Sequence, residues 1–176
     1  MSKRQELANI YDEFRDLELN KEYYSDKVTK SKKLLRALDI FLALFASSSA
    51  VLSFSFWSSD MFGVAIGPFL LSLATIVAII LGIIRPYLKL EDNHERLSSI
   101  QGAYAAIAYV MADVVRKLKT AEEVTDRERA VYEALRQVRA SLQSQEDKKT
   151  DKDLITRIQG QVNKRYPETY FYYPED

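Results

Sequence analysis

The chain has no cysteine and only one histidine, and these absences remove several kinds of chemistry. Without thiols it cannot form a disulfide framework or a thiolate metal site. No Gly-rich phosphate loop is present, and no nucleophile lies in a pattern that pairs it with a base. We therefore expect no enzymatic activity, no cofactor and no metal ion.

Glycine and proline are also scarce, at five and four residues. The charged segments show helical rather than alternating periodicity, which predicts an all-α protein. Lysine and arginine together balance aspartate and glutamate at 25 each. A net charge of zero argues against general nucleic-acid binding.

Two apolar stretches without charge stand out from this background. They run from Ile40 to Trp57 and from Met61 to Ile84, and only Ser58, Ser59 and Asp60 separate them. As helices they would be about 27 and 36 Å long, against about 30 Å for the hydrocarbon core of a bilayer. This pattern predicts a transmembrane hairpin over residues 37–88, with spans at about 38–57 and 61–85. The alternative is a buried helical hairpin in a soluble bundle.

The charges that flank the hairpin predict its orientation. Basic residues precede the first span and follow the second, whereas the connecting loop has none. Because Lys and Arg favour the cytoplasmic side, we expect an inner-membrane protein with both termini cytoplasmic. Residues 1–36 would then form a cytoplasmic helix, residues 89–165 a cytoplasmic helical region and residues 166–176 an aromatic tail. The predicted fold class is thus an all-α membrane protein that assembles as a helical-bundle oligomer.

Small and polar residues follow one side of the first span, and we take them as candidates to line a pore. The candidates are Asp39, Ala43, Ala46, Ser49, Ala50 and Ser53, with Asp60 at the outer end. In an oligomer, rings of carboxylates at Asp39 and Asp60 would favour cations. The alternatives are that the serines pack against the second helix, and that Asp39 pairs with Arg36 or Lys33.

Two further sets of residues have spacings typical of helix contacts. Small residues in the second span are spaced for close helix packing: Gly63, Gly67, Ala74, Ala78 and Gly82. Heptad-spaced apolar residues predict oligomerisation through coiled coils: Leu7, Ile10, Phe14, Leu17, Leu97, Tyr104 and Met111. The same heptads are equally consistent with packing inside one subunit.

Helix start and stop signals divide the region after the hairpin. The helix from Leu90 should end near Lys119, where positive charge suits the helix dipole. Thr120 with Glu123 resembles a capping box, and Thr150 opens a shorter helix that Pro167 follows. The tail from Tyr166 onward is rich in tyrosine, and we expect it to dock on the helices or on a partner, the alternative being a free tail.

The layout resembles the SLATT family of bacterial two-helix membrane proteins. The resemblance covers about residues 1–145. It rests on a helix through Tyr23-Tyr24, a Ser-rich first span, a minimal loop, and the segments Ile84-Arg85-Pro86-Tyr87 and Leu90-Glu91-Asp92. It implies a pore-forming or membrane-disrupting effector of antiviral conflict systems, with no catalytic residues to carry over.

The expected function is therefore a pore-forming effector that oligomerises and is gated by a cytoplasmic trigger. Its partners would be the lipid bilayer, other copies of the chain, and a sensor protein or nucleotide second-messenger system. The alternative is a non-conducting, membrane-anchored helical scaffold, or a regulatory subunit of a larger membrane complex.

Overall fold

The computed structural model describes residues 3–46, 60–61, 64–120, 124–147 and 149–167. Five α-helices occur in these ranges: α1 (Lys3–Ala46), α2 (Ile66–Ile84), α3 (Leu90–Thr120), α4 (Asp126–Gln143) and α5 (Lys152–Arg165). A 3-10 helix covers Arg85–Leu88, and two short antiparallel strands, β1 (Asp60–Met61) and β2 (Val64–Ala65), precede α2. The predicted helical character is confirmed.

The chain divides into two compact units. Unit 1 contains residues 1–28 and 96–176, and unit 2 contains residues 29–95. The sequence had separated an amino-terminal helix at residues 1–36 from a helical region at residues 89–165. In the structure, most of these two segments belong to one unit.

The predicted transmembrane hairpin is wrong. Among the residues that the structure describes, no helix combines the length and the apolar character that a membrane crossing requires. The assignment to the inner membrane, with both termini cytoplasmic, loses its support with the hairpin. The pore-forming interpretation depended on the same hairpin and is withdrawn.

The strands before α2 also change where the helix of the second apolar stretch begins. The second apolar stretch was expected to be helical from Met61, but Met61 pairs with Val64 in the strand ribbon. The helix therefore begins only at Ile66 and has 19 residues, a length of about 28 Å. Of the first apolar stretch, the described helix covers the part up to Ala46, and residues 47–59 lie outside the described ranges.

In unit 1, ion pairs show how α4 and α5 run relative to α1. Glu6 pairs with Arg129 and Glu13 with Arg139, so residue numbers rise together along α1 and α4. Along α1 and α5 they run in opposite directions, since Arg15 donates to Asn163 at 2.7 Å and Asp26 pairs with Arg157 at 3.3 Å. Thus α4 lies parallel and α5 antiparallel to α1.

These helices enclose an apolar and aromatic core. Its most deeply buried residues come from α1 and α3, among them Ile10, Leu17, Ile100, Tyr104 and Met111. Leu154, Ile158 and Val162 of α5 complete it, at the three- and four-residue spacing of an amphipathic helix. Burial of these side chains is the main source of stability in unit 1.

Both helix starts predicted after α3 are displaced in the structure. The capping box before α4 is formed by Thr125 and Glu128 rather than by Thr120 and Glu123. The cap of α5 is Asp151, whose carboxylate accepts a hydrogen bond from the Leu154 N–H at 3.1 Å. The predicted ends are confirmed, because α3 ends at Thr120 and α5 ends two residues before Pro167.

The first part of the aromatic tail docks on unit 1, as one of the two alternatives expected. The Tyr166 ring packs edge-on against Phe14 with 4.9 Å between the ring centroids. The Tyr11 hydroxyl donates to the Pro167 carbonyl oxygen at 2.9 Å. Residues 168–176 lie outside the described ranges.

Candidate functional site

The largest concentration of exposed apolar side chains lies on α2, in unit 2. Their exposed fractions run from 39% at Val77 to 62% at Ile83. Among the side chains of this helix that the structure describes, the exposed apolar ones are Leu73, Ile76, Val77, Ile79, Ile80, Ile83 and Ile84. Contiguous exposed apolar surface of this kind marks an interaction site in a folded protein.

The geometry of a helix places these side chains on one broad face. At 100° per residue, positions 73 to 84 that are exposed and apolar fall within an arc of about 160°. Leu81 lies just outside this arc and is only half-exposed. α2 contains no charged residue, so the arc offers no electrostatic basis for selecting a partner.

A heptad runs through the middle of this arc. Leu73, Ile76, Ile80 and Ile83 follow alternating steps of three and four residues, the spacing of a coiled-coil seam. We name these four residues the α2 seam. We did not predict this seam from the sequence, because the whole stretch was assigned to the membrane on its composition and its heptad spacing was not considered.

At the carboxyl end of α2, one arginine joins three segments of unit 2. Arg85 pairs with Asp39 of α1 and with Glu91 of α3, each at 2.7 Å. The hydrogen bond to Glu91 raises the pKa of Arg85 above its ordinary value, and it lowers the pKa of Glu91. Pro86 follows in the 3-10 helix, which ends at Lys89 in a left-handed conformation with φ of 46°. The chain thereby turns from α2 into α3.

The predicted pore-lining residues do not form a common lining among the described residues. Asp39 is engaged by Arg85 rather than by Arg36 or Lys33. Ala43 is exposed on α1, and Ala46 is the last residue of that helix. Asp60 lies in β1, paired with Ala65. Ser49, Ala50 and Ser53 fall outside the described ranges.

The predicted small-residue contacts in the second span are only partly visible. Gly67 and Ala74 lie in α2, Ala78 is half-exposed, and Gly63 falls outside the described ranges. A Cβ atom built on Gly82 would meet no atom within 4 Å. No helix of this chain therefore approaches the backbone closely at Gly82 in the described structure.

The residues predicted for oligomerisation serve a different purpose in the structure. Ile10, Phe14, Leu17, Leu97, Tyr104 and Met111 are all buried in the core of unit 1, and Leu7 packs against that core. They match the second of the two alternatives, packing inside one subunit. A partner cannot reach them without opening the bundle.

Unit 1 contains a second notable feature, a cluster of aromatic and charged groups that holds the loop between α4 and α5. We name it the loop clasp: Tyr23, Tyr24 and Lys27 from α1, Arg96 and Tyr104 from α3, and Glu146, Asp147 and Asp151 from the loop. The Tyr24 and Tyr104 rings stack at 5.8 Å with 5° between their planes. The Lys27 ammonium lies 4.8 Å from the Tyr23 ring centroid, within cation–π range.

Hydrogen bonds connect these rings to the loop. The Tyr104 hydroxyl donates to Glu146. The backbone N–H groups of Asp147 and Asp151 donate to the hydroxyls of Tyr24 and Tyr23, at 3.4 and 3.2 Å. The loop backbone therefore has hydrogen-bond partners on α1, and the Glu146 side chain has one on α3, which together fix the path of the loop.

Ionisation in the loop clasp follows from burial and from its ion pairs. Burial raises the pKa of Tyr24 and, together with the hydrogen bond to Glu146, that of Tyr104. Burial also acts to raise the pKa of Asp147, but hydrogen bonds from Lys27 and Arg96 outweigh it and hold that pKa below its ordinary value. Asp147 is therefore an ionised carboxylate between two cations, and these ion pairs hold the loop to α1 and α3.

A shallow cavity of about 190 Å³ lies between α1 and α5. Asp12, Arg15 and Asp16 line it together with Asn163. The Arg15 guanidinium contacts Asp12 at 3.4 Å and Asn163 at 2.7 Å, and Asp16 pairs with Arg139 of α4. In the ranges that the structure describes, no group of His, Asp and Glu residues has the arrangement of a metal site.

Comparisons with known proteins return no family model, no curated protein and no solved structure that matches this chain. The resemblance to the SLATT family, with the sensor protein or nucleotide system that it implies, stays a prediction from the layout of the sequence.

Proposed function

We propose that this chain is a non-enzymatic helical scaffold that self-associates through the α2 seam. In this proposal unit 1 is the folded body of each subunit, and unit 2 provides the contact that joins copies. The observation that carries the proposal is the row of exposed, uncharged and heptad-spaced side chains along α2.

A second copy of the chain is the occupant that best fits this surface. An apolar surface without charge requires an equally apolar partner, and the α2 seam of another copy supplies the same steps of three and four residues. The β-branched isoleucines and the γ-branched leucine at these positions interdigitate as knobs into holes. Identical surfaces that meet about a symmetry axis are the usual basis of homo-oligomers.

The apolar surface is large enough to drive association. Full burial of a Leu, Ile or Val side chain is worth about 1.5–3 kcal/mol. The exposed residues of α2 retain roughly half of their area in one chain, so their burial would release on the order of 5–10 kcal/mol per copy. Two copies together release about twice that amount, against about 4–15 kcal/mol for the lost freedom of two associating bodies.

Sedimentation velocity on the full chain tests the proposal. We expect the wild type to sediment as an oligomer at micromolar concentration, and the triple variant Ile76→Gln, Ile80→Gln, Ile83→Gln to sediment as a folded monomer. The matched control is Val138→Gln, since Val138 is 47% exposed but lies on α4 in unit 1. It should leave the oligomer intact. Circular dichroism should show the same helix content in all three proteins.

Two outcomes would overturn the proposal. One is a wild-type chain that remains monomeric up to about 100 μM. The other is a monomer that floats with phosphatidylglycerol-containing vesicles unless the triple substitution is present. That result would assign the α2 seam to lipid contact rather than to a second copy.

A further inference from the structure

The exposed side of α3 in unit 1 has an unusual composition. From Leu97 to Ala112 the helix contains no charged residue. Burial in the core explains this for one side, where Tyr104 and Ala108 are fully buried. The opposite side is exposed to solvent and is equally uncharged, although solvent-exposed helix faces normally carry charge.

This exposed side combines one large aromatic side chain with small residues along the same face. Ser99, Gly102, Ala106 and Tyr109 follow steps of three, four and three residues and are all exposed. We name these four residues the α3 face. Tyr109 is 77% exposed, and a Cβ atom built on Gly102 would meet no atom within 4 Å. A large aromatic side chain therefore lies two helical turns from a position whose surface is open to an incoming side chain.

We infer that the α3 face binds the α3 face of a second copy in an antiparallel pair whose two-fold axis passes near Ala106. In this register Ala106 lies opposite its own copy, and Tyr109 lies opposite Gly102 of the second chain. Each copy places its Tyr109 at Gly102 of the other, so the same contact occurs twice in the dimer, as an isologous interface requires. The contact buries the aromatic knobs that dominate the energetics of protein interfaces.

Charge supports the antiparallel direction. Continuing the same steps along the helix brings Arg116, whose side chain is 76% exposed, opposite the exposed Glu95 of the second copy. Asp113 falls opposite Ser99, whose hydroxyl can donate to a carboxylate. A parallel pair would place Arg116 on Arg116, Glu95 on Glu95 and Tyr109 on Tyr109, which opposes like charges and leaves the gap at Gly102 empty.

This contact deepens the proposed scaffold, because it adds a second self-associating surface on a different helix and in a different unit. It stands on its own observations, since no residue of the α2 seam takes part in it. The experiments below are therefore made in the background of Ile76→Gln, Ile80→Gln, Ile83→Gln, which removes the α2 seam.

The absence of cysteine allows a clean cross-linking test, since one introduced cysteine is the only thiol. A disulfide needs Cα atoms no more than about 7 Å apart. Under mild oxidation Ala106→Cys should form a disulfide-linked dimer. Ser99→Cys is the matched control on the same face. In the antiparallel register its two copies lie about 20 Å apart along the helix axis, so it should stay monomeric.

A mixture of Ser99→Cys and Asp113→Cys chains should form the mixed disulfide, since these positions oppose each other. Adding Tyr109→Lys to Ala106→Cys should lower the dimer yield about tenfold at a concentration below saturation. The inference is overturned if Ala106→Cys remains monomeric in this background, or if Ser99→Cys cross-links as readily as Ala106→Cys.

Discussion

The two units of this chain treat apolar residues in opposite ways. In unit 1, isoleucines such as Ile10 and Ile100 are each 1% exposed, and ion pairs and caps surround them. In unit 2, isoleucines such as Ile79 and Ile83 are 57% and 62% exposed. The residue type is the same in both units, so the difference lies in what each helix packs against.

This difference separates stability from association. Most of the described apolar side chains of unit 1 are buried in its core, so only a few of them, on α3 and α4, are exposed to a partner. Unit 2 retains much of its apolar surface uncovered in a single chain. The free energy of unfolding should therefore depend mainly on unit 1 and self-association mainly on unit 2, and substitutions can test each unit separately.

The largest expected difference in the free energy of unfolding is between two Ile→Ala substitutions, one in each unit. Ile10→Ala removes a fully buried side chain from unit 1, and such changes cost about 2–5 kcal/mol because they leave a cavity. Ile79→Ala removes the same atoms from an exposed position in unit 2 and should cost less than about 1 kcal/mol. Urea denaturation followed by circular dichroism measures both.

The measurement should be made below the concentration at which copies associate, because Ile79 neighbours the α2 seam. Equal losses for Ile10→Ala and Ile79→Ala would break the comparison between the units. They would show that α2 is packed in the single chain as firmly as the core of unit 1.

A smaller difference is expected between two ion-pair bridges, one in each unit. Asp147 joins Lys27 and Arg96 in unit 1 with 19% of its side chain exposed, whereas Arg85 joins Asp39 and Glu91 in unit 2 at a more exposed position. Asp147→Asn should cost about 1–2 kcal/mol, between the values for surface and for buried pairs. Arg85→Gln should leave the urea midpoint close to that of the wild type, since exposed pairs contribute little.

The pH dependence of the free energy of unfolding gives a second test of the ion pairs of Asp147. Because the pKa of Asp147 is lower in the folded chain than the ordinary value of an aspartate, the unfolded chain takes up this proton first as the pH falls. The stability that Asp147 contributes is complete above about pH 5 and is lost as the pH falls through the folded pKa. The gap between wild type and Asp147→Asn should therefore narrow below about pH 4. A constant gap down to pH 2.5 would contradict this role for Asp147.

The sequence allowed the helices of unit 1 to be predicted but not the partners that their apolar faces would meet. The heptads at Ile10, Phe14 and Leu17 located α1 correctly, because helical periodicity is a local property. Whether such a stripe faces the same chain or another depends on residues far away in sequence. Here the distant α4 and α5 return to cover it.

The prediction failed for α2 for a related reason. The apolar stretch from Met61 to Ile84 was interpreted by its composition, which predicted neither the short ribbon at Met61 and Val64 nor the helix start at Ile66. The α2 seam was visible as a spacing within that stretch. The α3 face could not be found from sequence alone, because its uncharged residues are informative only once they are known to be exposed.

The smallest effect concerns helix caps, and it tests local signals in the unit where they are strongest. The described caps with side-chain hydrogen bonds, Thr125 and Asp151, both lie in unit 1, whereas the 3-10 helix of unit 2 begins at Ile84 without one. Asp151→Ala should cost about 1 kcal/mol, because the Leu154 N–H loses its acceptor. Thr150→Ala, at the cap position that the sequence predicted, should change the urea midpoint little, since Thr150 is exposed and precedes the true cap. If the two substitutions exchanged their effects, α5 would begin one residue earlier in solution, and the hydrogen bond that the Asp151 N–H donates to Tyr23 would have to be reassigned.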